Sequence, residues 1–308
     1  YGDWSSDVCS SDLNVTRIVA LMMRKEHLSK HPLDDEISRR AMDLFLKSLD
    51  PRKLYFYQSD VDEFNQRRND LDDMVNNGDL KFSYFVFTRL LKRVDERLAM
   101  INVLLQGEFD FTADEVLVSD LDKLTYATSL EEAKQRWTKQ LKYDTLVLKA
   151  DKSNKDDIRE RLKRRYQSIA KRLKQTDSNE LLQMFLSSIT MSFDPHSTYM
   201  AKDDAKNFDI QIRANLQGIG AQLKMVDGFT VIDRLIVGGP AEKNGQLKAG
   251  DRIISVAQGE DGPSVDVAEM KLNDVVGLIR GNPRTVVRLG VVSENGEPKT
   301  IKITRDVV

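Results

Sequence analysis

The sequence predicts an α+β multidomain protein, with an N-terminal all-α helical domain followed by a small β-barrel or sandwich carrying short helices. Three observations lead there. From Val15 to about Met191 apolar side chains recur every three to four positions, the period of amphipathic helices. From Leu216 to Arg305 the chain changes to short alternating runs broken by glycine-containing turns, the pattern of strands and hairpins. Between them, Pro195 and the polar stretch Lys202-Asp203-Asp204-Ala205-Lys206 interrupt both periods. The expected domains are therefore residues 14–205 and 206–308, with the boundary between about Met200 and Asp209.

Composition bounds the function classes. With 308 residues, 40% of them hydrophobic and 31% charged, the chain has room for two ordinary globular cores. A formal charge of −2 argues against a dedicated nucleic-acid binder, because a phosphate backbone calls for a basic excess. The single cysteine, Cys9, excludes an internal disulfide framework and a cysteine-based metal cluster. Residues 1–13 repeat Ser-Ser-Asp, show no element period and resemble translated sequencing-adapter reads; they are expected to be foreign, with the true start and any export signal missing. The apolar run Ile18 to Met23 is too short to span a bilayer and runs directly into Arg24-Lys25-Glu26, so no integral membrane segment is expected.

In the helical half the clearest stripe is Phe87, Leu91, Val94, Leu98, Ile101 and Leu105, spaced alternately by four and three. One stripe cannot bury itself, so partner helices in an internal bundle are expected. A second helix, Lys155 to Gln175, carries Ile158, Leu162, Tyr166, Ile169 and Leu173 on one face. Its many arginines and lysines read as a solvated face with pairs such as Glu160 and Arg164, rather than a phosphate-binding surface. Asp177 followed three residues later by Glu180 is a capping-box signature for a helix bearing Leu181, Leu182, Phe185 and Ile189. Pro195 ends that helix near Asp194, and Asp194-Pro195-His196-Ser197-Thr198-Tyr199 is expected to form an ordered turn.

None of the candidate chemistries in this half survives inspection. His27 and His31 have the i, i+4 spacing of zinc ligands, but Leu28 stands where a zinc-protease signature has glutamate, so two exposed helix histidines are expected. Ser168-Ile169-Ala170-Lys171 matches a Ser-x-x-Lys spacing without its companion motifs. Asp194, His196 and Ser197 are too close in one turn to act as a triad, so His196 reads as structural. No catalytic residue, metal site or cofactor is assigned.

The β-rich half carries the binding chemistry. In Leu216-Gln217-Gly218-Ile219-Gly220-Ala221, two glycines flank an apolar residue and let successive amides face one concavity, a nest for a terminal carboxylate. The alternating residues after it, including Leu223, form a strand that, at a sheet edge, accepts an incoming extended chain. Leu272, Val275, Val276 and Ile279 follow helical spacing and supply an apolar wall for the ligand's last side chain. Asp227-Gly228 predicts a hairpin turn, Gly238-Gly239-Pro240-Ala241 opens a short helix, Gly281-Asn282-Pro283 turns the chain, and Glu294-Asn295-Gly296-Glu297 reverses it into a closing strand from Lys299 to Arg305. Gly218-Ile219-Gly220 begins like a dinucleotide fingerprint, but Leu223 replaces its third glycine and a strand follows, so that reading fails.

This ordered set, above all Leu247-Lys248-Ala249-Gly250-Asp251-Arg252-Ile253-Ile254-Ser255-Val256, resembles a PDZ domain of the bacterial type. Together with Leu44-Phe45-Leu46-Lys47-Ser48-Leu49-Asp50-Pro51 and Phe193-Asp194-Pro195-His196-Ser197-Thr198-Tyr199, it makes the chain resemble the N-terminal part of the carboxy-terminal processing proteases, in their tail-specific branch. The resemblance implies that the PDZ domain binds the C-terminal peptide segments of protein substrates, with an adaptor protein as a further partner, and that a Ser/Lys protease core follows residue 308 in a periplasmic parent enzyme. It carries peptide-contact roles to Gln217, Gly218, Ile219, Gly220, Ala221, Leu223, Leu272, Val275, Val276 and Ile279, and a hinge role to Leu216. It carries no catalytic position, so the chain alone is expected to bind without cutting. The alternative is a non-catalytic helical and PDZ scaffold that docks partner C-termini, and the continuation of the gene distinguishes the two.

Overall fold

A computed structural model of the chain describes residues 10–118, 120–150, 157–212, 217–226, 228–293, 296 and 298–308. The chain divides at Lys202/Asp203 into two compact units.

The first unit is helical: α1 (Ser10–Glu26), α2 (Asp35–Leu49), α3 (Gln58–Asn65), α4 (Leu71–Asn77), α5 (Lys81–Leu104), α6 (Leu130–Ala150), α7 (Ile158–Lys174) and α8 (Ser178–Phe193). The predicted stripe of α5 is buried at Phe87, Leu91, Val94 and Ile101, with Leu98 half-buried. It bridges two cores. In one, α2 packs on α8 and Phe45 meets Phe185 edge-on, ring centroids 5.3 Å apart. In the other, Trp137 and Leu141 of α6 pack with Leu162 and Tyr166 of α7 and Ile101 of α5. Fully burying each such apolar side chain contributes about 1.5–3 kcal/mol.

The expected capping box forms. Asp177 accepts the Glu180 amide and Glu180 accepts the Asp177 amide, both at 3.0 Å. Ser10 to Leu13, set aside in the sequence reading, form the first turn of α1, with Leu13 packed against the core. The histidine expectation is corrected. α1 stops at Glu26, so His27 and His31 lie in the following loop instead of on a helix. There His27 Nε2 meets Ser197 Oγ at 3.1 Å and both imidazoles contact the Phe193 ring, which pins the 193–197 turn. No described helix is long and apolar enough to cross a membrane.

The polar stretch Lys202 to Lys206, at the expected domain boundary, forms the start of α9 (Lys202–Ile212). The second unit continues with β1 (Gln217–Gly218), β2 (Ala221–Val226), β3 (Phe229–Leu235), α10 (Pro240–Asn244), β4 (Arg252–Gln258), β5 (Ser264–Asp266), α11 (Leu272–Ile279), β6 (Val286–Val292), β7 (Pro298–Thr304) and β8 (Asp306–Val307). The main sheet is antiparallel in the order β2-β3-β4-β6-β7, with β5 on β4. Strict alternation along β6 sends Val287, Leu289 and Val291 into the core with Ile253, Val256, Ile301 and Ile303. Val226 pairs with Phe229, as the predicted hairpin requires. Pro240 occupies the first turn of α10 and Gly245 ends it at φ 74°. Glu294, Asn295 and Glu297 of the predicted reversal, and the hinge candidate Leu216, lie outside the described residues.

Candidate peptide-terminus site

The site is assembled from one loop, one strand and one helix of the second unit. Gly218, Ile219 and Gly220 are buried between β1 and β2. The Ile219 carbonyl accepts the Ala241 amide at 2.7 Å, and the Gly220 carbonyl accepts the Ile236 amide at 2.8 Å. These two bonds fix the loop's acceptors inward, on α10 and the end of β3. Its donors are left over. Among the described residues no acceptor stands opposite the amides of Ile219 and Gly220. Buried amides without a partner are rare in folded proteins. Gly220 holds φ +71°, and a Cβ there would lie 3.0 Å from Gly239 Cα and 3.3 Å from Pro240 Cδ. Only glycine fits that position.

The strand leaving the loop is β2. Among the described residues its only partner in the sheet is β3, so it is an edge strand whose outer side can take an added strand. A register shift between Gln222 and Leu223 bulges the β2/β3 pair where the loop joins the sheet. Leu223 and Ala221 are half-buried against the core.

The helix is α11, which packs beside β2 and β4. Of its four predicted wall residues, Val275 and Ile279 are 0% and 3% exposed and belong to the core. Leu272 and Val276 are half-buried and retain surface. Arg305, only 3% exposed, holds the C-terminal end of α11 in place by donating to the carbonyls of Leu278 and Ile279 at 3.1 and 2.8 Å. Its remaining donors reach Thr285 Oγ1 and Gln258 Oε1 at 3.0 and 2.6 Å, as well as the Val286 carbonyl. A cation at a helix C-terminus complements the carbonyl end of the dipole.

One residue beside the loop escaped the sequence reading. Arg280 follows α11 directly, and its Cγ and Cα lie 3.8 and 3.9 Å from where a Gly218 Cβ would stand. Burial pulls the pKa of its guanidinium below its ordinary value. The backbone and aliphatic stem of Arg280 stand against the Gly218 end of the loop.

A family model described as the tail specific protease N-terminal domain matches residues 18–203, and one described as the PDZ domain matches residues 209–292. The chain belongs to the tail-specific protease family. It is 32% identical to the tail-specific protease of Haemophilus influenzae over 295 residues, 95% of this chain and 42% of that protein. It is 37% identical over 158 residues to the carboxy-terminal processing protease CtpA of Bacillus subtilis, 51% of this chain and 32% of that protein. A solved PDZ domain of the carboxy-terminal protease from Vibrio cholerae, in complex with peptide, is 43% identical over 30% of this chain and 97% of its own, with a TM-score of 0.30. The chain thus spans less than half the length of the curated relatives it matches. It corresponds to the N-terminal and PDZ parts of a tail-specific protease homologue.

Within this family frame, the predicted residues divide by position. Ile219, Val275 and Ile279 belong to the core, while Ala221, Leu223, Leu272 and Val276 are half-buried.

Proposed function

We propose that the second unit binds the free C-terminus of an extended, apolar polypeptide. The ligand's carboxylate meets the Ile219 and Gly220 amides, its backbone extends β2, and its last side chain lies against Leu223, Leu272 and Val276. The two adjacent amides that find no acceptor among the described residues are the observation that carries this reading, because they put a pair of donors next to a strand edge. Gln217, Gly218 and Ala221 position the loop, Leu216 acts as a hinge, and Val275 and Ile279 contribute by holding α11 in register. Arg280 is added to the set as a long-range attraction for the carboxylate.

Kinship with tail-specific proteases supports a role in selecting chains for proteolysis by a Ser/Lys core of the kind the family carries, in the periplasm and with an adaptor protein as a further partner. No residue of this chain is assigned to the cutting step. Titration with a fluorescent peptide ending in apolar residues tests the reading. Saturable binding that weakens when the terminal carboxylate is converted to a carboxamide is the expected result, and indifference to that change would refute it.

A further inference from the structure

We infer that the helical unit holds a second site for a carboxylate borne on an apolar residue, the chemistry presented by a polypeptide end. A cavity of about 220 Å³ opens between the 52–54 turn, the 116–125 segment and α6. Its volume is below the ~300–1,000 Å³ of sites for drug-sized ligands, and suits a single residue. Leu54, Leu124 and the Val116–Val118 ridge form apolar walls, and Val116 and Val118 remain 76% and 44% exposed.

Four cations line the same cavity. Lys123 is engaged by Asp120 at 3.4 Å, and Arg136 by Glu132 and the Thr125 carbonyl. The side chains of Arg52 and Lys139 have no ion pair or hydrogen bond among the described residues. Two unengaged cations facing apolar walls select an anion with an apolar body.

A second observation points the same way. Gln140, 7% exposed, also lines the cavity, and its Oε1 accepts no hydrogen bond. Its amide cannot be turned around, because Nε2 donates to Asp144 Oδ1 at 3.0 Å while Tyr166 donates to the other Asp144 oxygen. The unmet acceptor calls for an N–H donor. Carboxylate, apolar side chain and amide N–H are the three groups carried by the last residue of a peptide. The rim is stiff, since the Leu54 carbonyl is held by Arg97 Nε at 3.2 Å and Trp137 Nε1 at 3.1 Å.

That same Trp137 contact supplies the readout. In the full chain carrying Trp4→Phe, Trp137 is the sole tryptophan. N-acetyl-leucine is expected to change its fluorescence saturably, and N-acetyl-leucinamide to bind at least about tenfold more weakly, having lost the charge-assisted bonds. Charge reversal at Arg52→Glu with Lys139→Glu, or neutralisation of both to Ala, is expected to weaken the acid by a similar factor. Gly220→Val leaves this response intact, which separates the cavity from the site on the second unit. A longer peptide ending in leucine competes. The inference is overturned by an absent saturable response, by equal affinity for acid and amide, by retained binding in both double variants, by loss of the response in Gly220→Val, or by failure of the longer peptide to compete.

Discussion

Replacing Gly220 with alanine tests the loop on which peptide binding depends, and the size of the effect follows from the local geometry. At φ +71° an alanine costs about 1–2 kcal/mol through contact between its Cβ and the following carbonyl. The same Cβ stands 3.0 Å from Gly239 Cα, a backbone atom that cannot swing aside. The loop escapes only by turning over, which breaks the 2.8 Å bond from the Ile236 amide to the Gly220 carbonyl; with Ile236 exposed, that loss costs about 0.5–1.5 kcal/mol. A total of about 1.5–3.5 kcal/mol results, together with displaced Ile219 and Gly220 amides. Gly250→Ala is the matched control: its φ is +91°, but no atom lies within 4 Å of the added Cβ, so only the conformational cost of about 1–2 kcal/mol applies. Neither Trp4 nor Trp137 lies in the second unit, so amide exchange in peptides covering β3 and β6 is the appropriate assay. Exchange should be roughly 2- to 12-fold faster in Gly220→Ala than in Gly250→Ala, and only Gly220→Ala should lose peptide affinity. Equal protection in the two variants, or full affinity in Gly220→Ala, would refute the reasoning.

Asp60, 1% exposed, accepts Arg89 at 2.6 Å, Arg93 at 2.8 Å and the Tyr57 amide at 3.0 Å. Asp60→Asn should destabilise the helical unit by about 2–3 kcal/mol, less than the ~3–5 of a fully stranded charge, because Glu63 and Glu96 still pair the two arginines. Burial pushes the Asp60 carboxyl up, but the hydrogen bonds from Arg93, Tyr57 and Arg89 together outweigh it and hold the pKa below its ordinary value. Its folded-state pKa being depressed, the advantage of wild type over Asp60→Asn is complete above about pH 5 and disappears as the pH falls through the folded value, which urea midpoints at pH 7 and pH 3 will report. Phe45→Ala removes a fully buried ring and should lower stability by about 3–5 kcal/mol, read from the Trp137 emission midpoint in urea. Arg305→Met should fray the C-terminal turn of α11, seen as faster amide exchange across residues 272–280 and as weaker peptide binding.

Where one residue's chemistry sets local structure, the sequence is enough to see it. Asp177 and Glu180 can satisfy each other's amides only at a helix start, and both bonds form there. Periodicity locates a face without saying what covers each part of it. The α11 stripe is real, yet the core takes Val275 and Ile279 and leaves Leu272 and Val276 half-buried. The i, i+4 spacing of His27 and His31 is likewise real, but α1 has already ended at Glu26. The polar start of α9 has no apolar stripe to betray a helix. Arg280 and the pair Arg52 and Lys139 gain their significance from neighbours distant in the chain, Gly218 for the first and the 116–125 segment with α6 for the others, and a linear reading offers no signal for them.

The short ladder between β1 and β8, in which Gln217 sits opposite Val307 and Gly218 opposite Asp306, gives the second unit a narrow stalk. Everything between those residues is a single closed bight of polypeptide whose two ends stand only about 5 Å apart. Such a module can be cut out and sewn into an unrelated host at one hairpin, since the recipient need supply only that small gap. Grafted this way, it would carry β2 and α11, the strand and helix of the proposed site, into a scaffold of the experimenter's choosing.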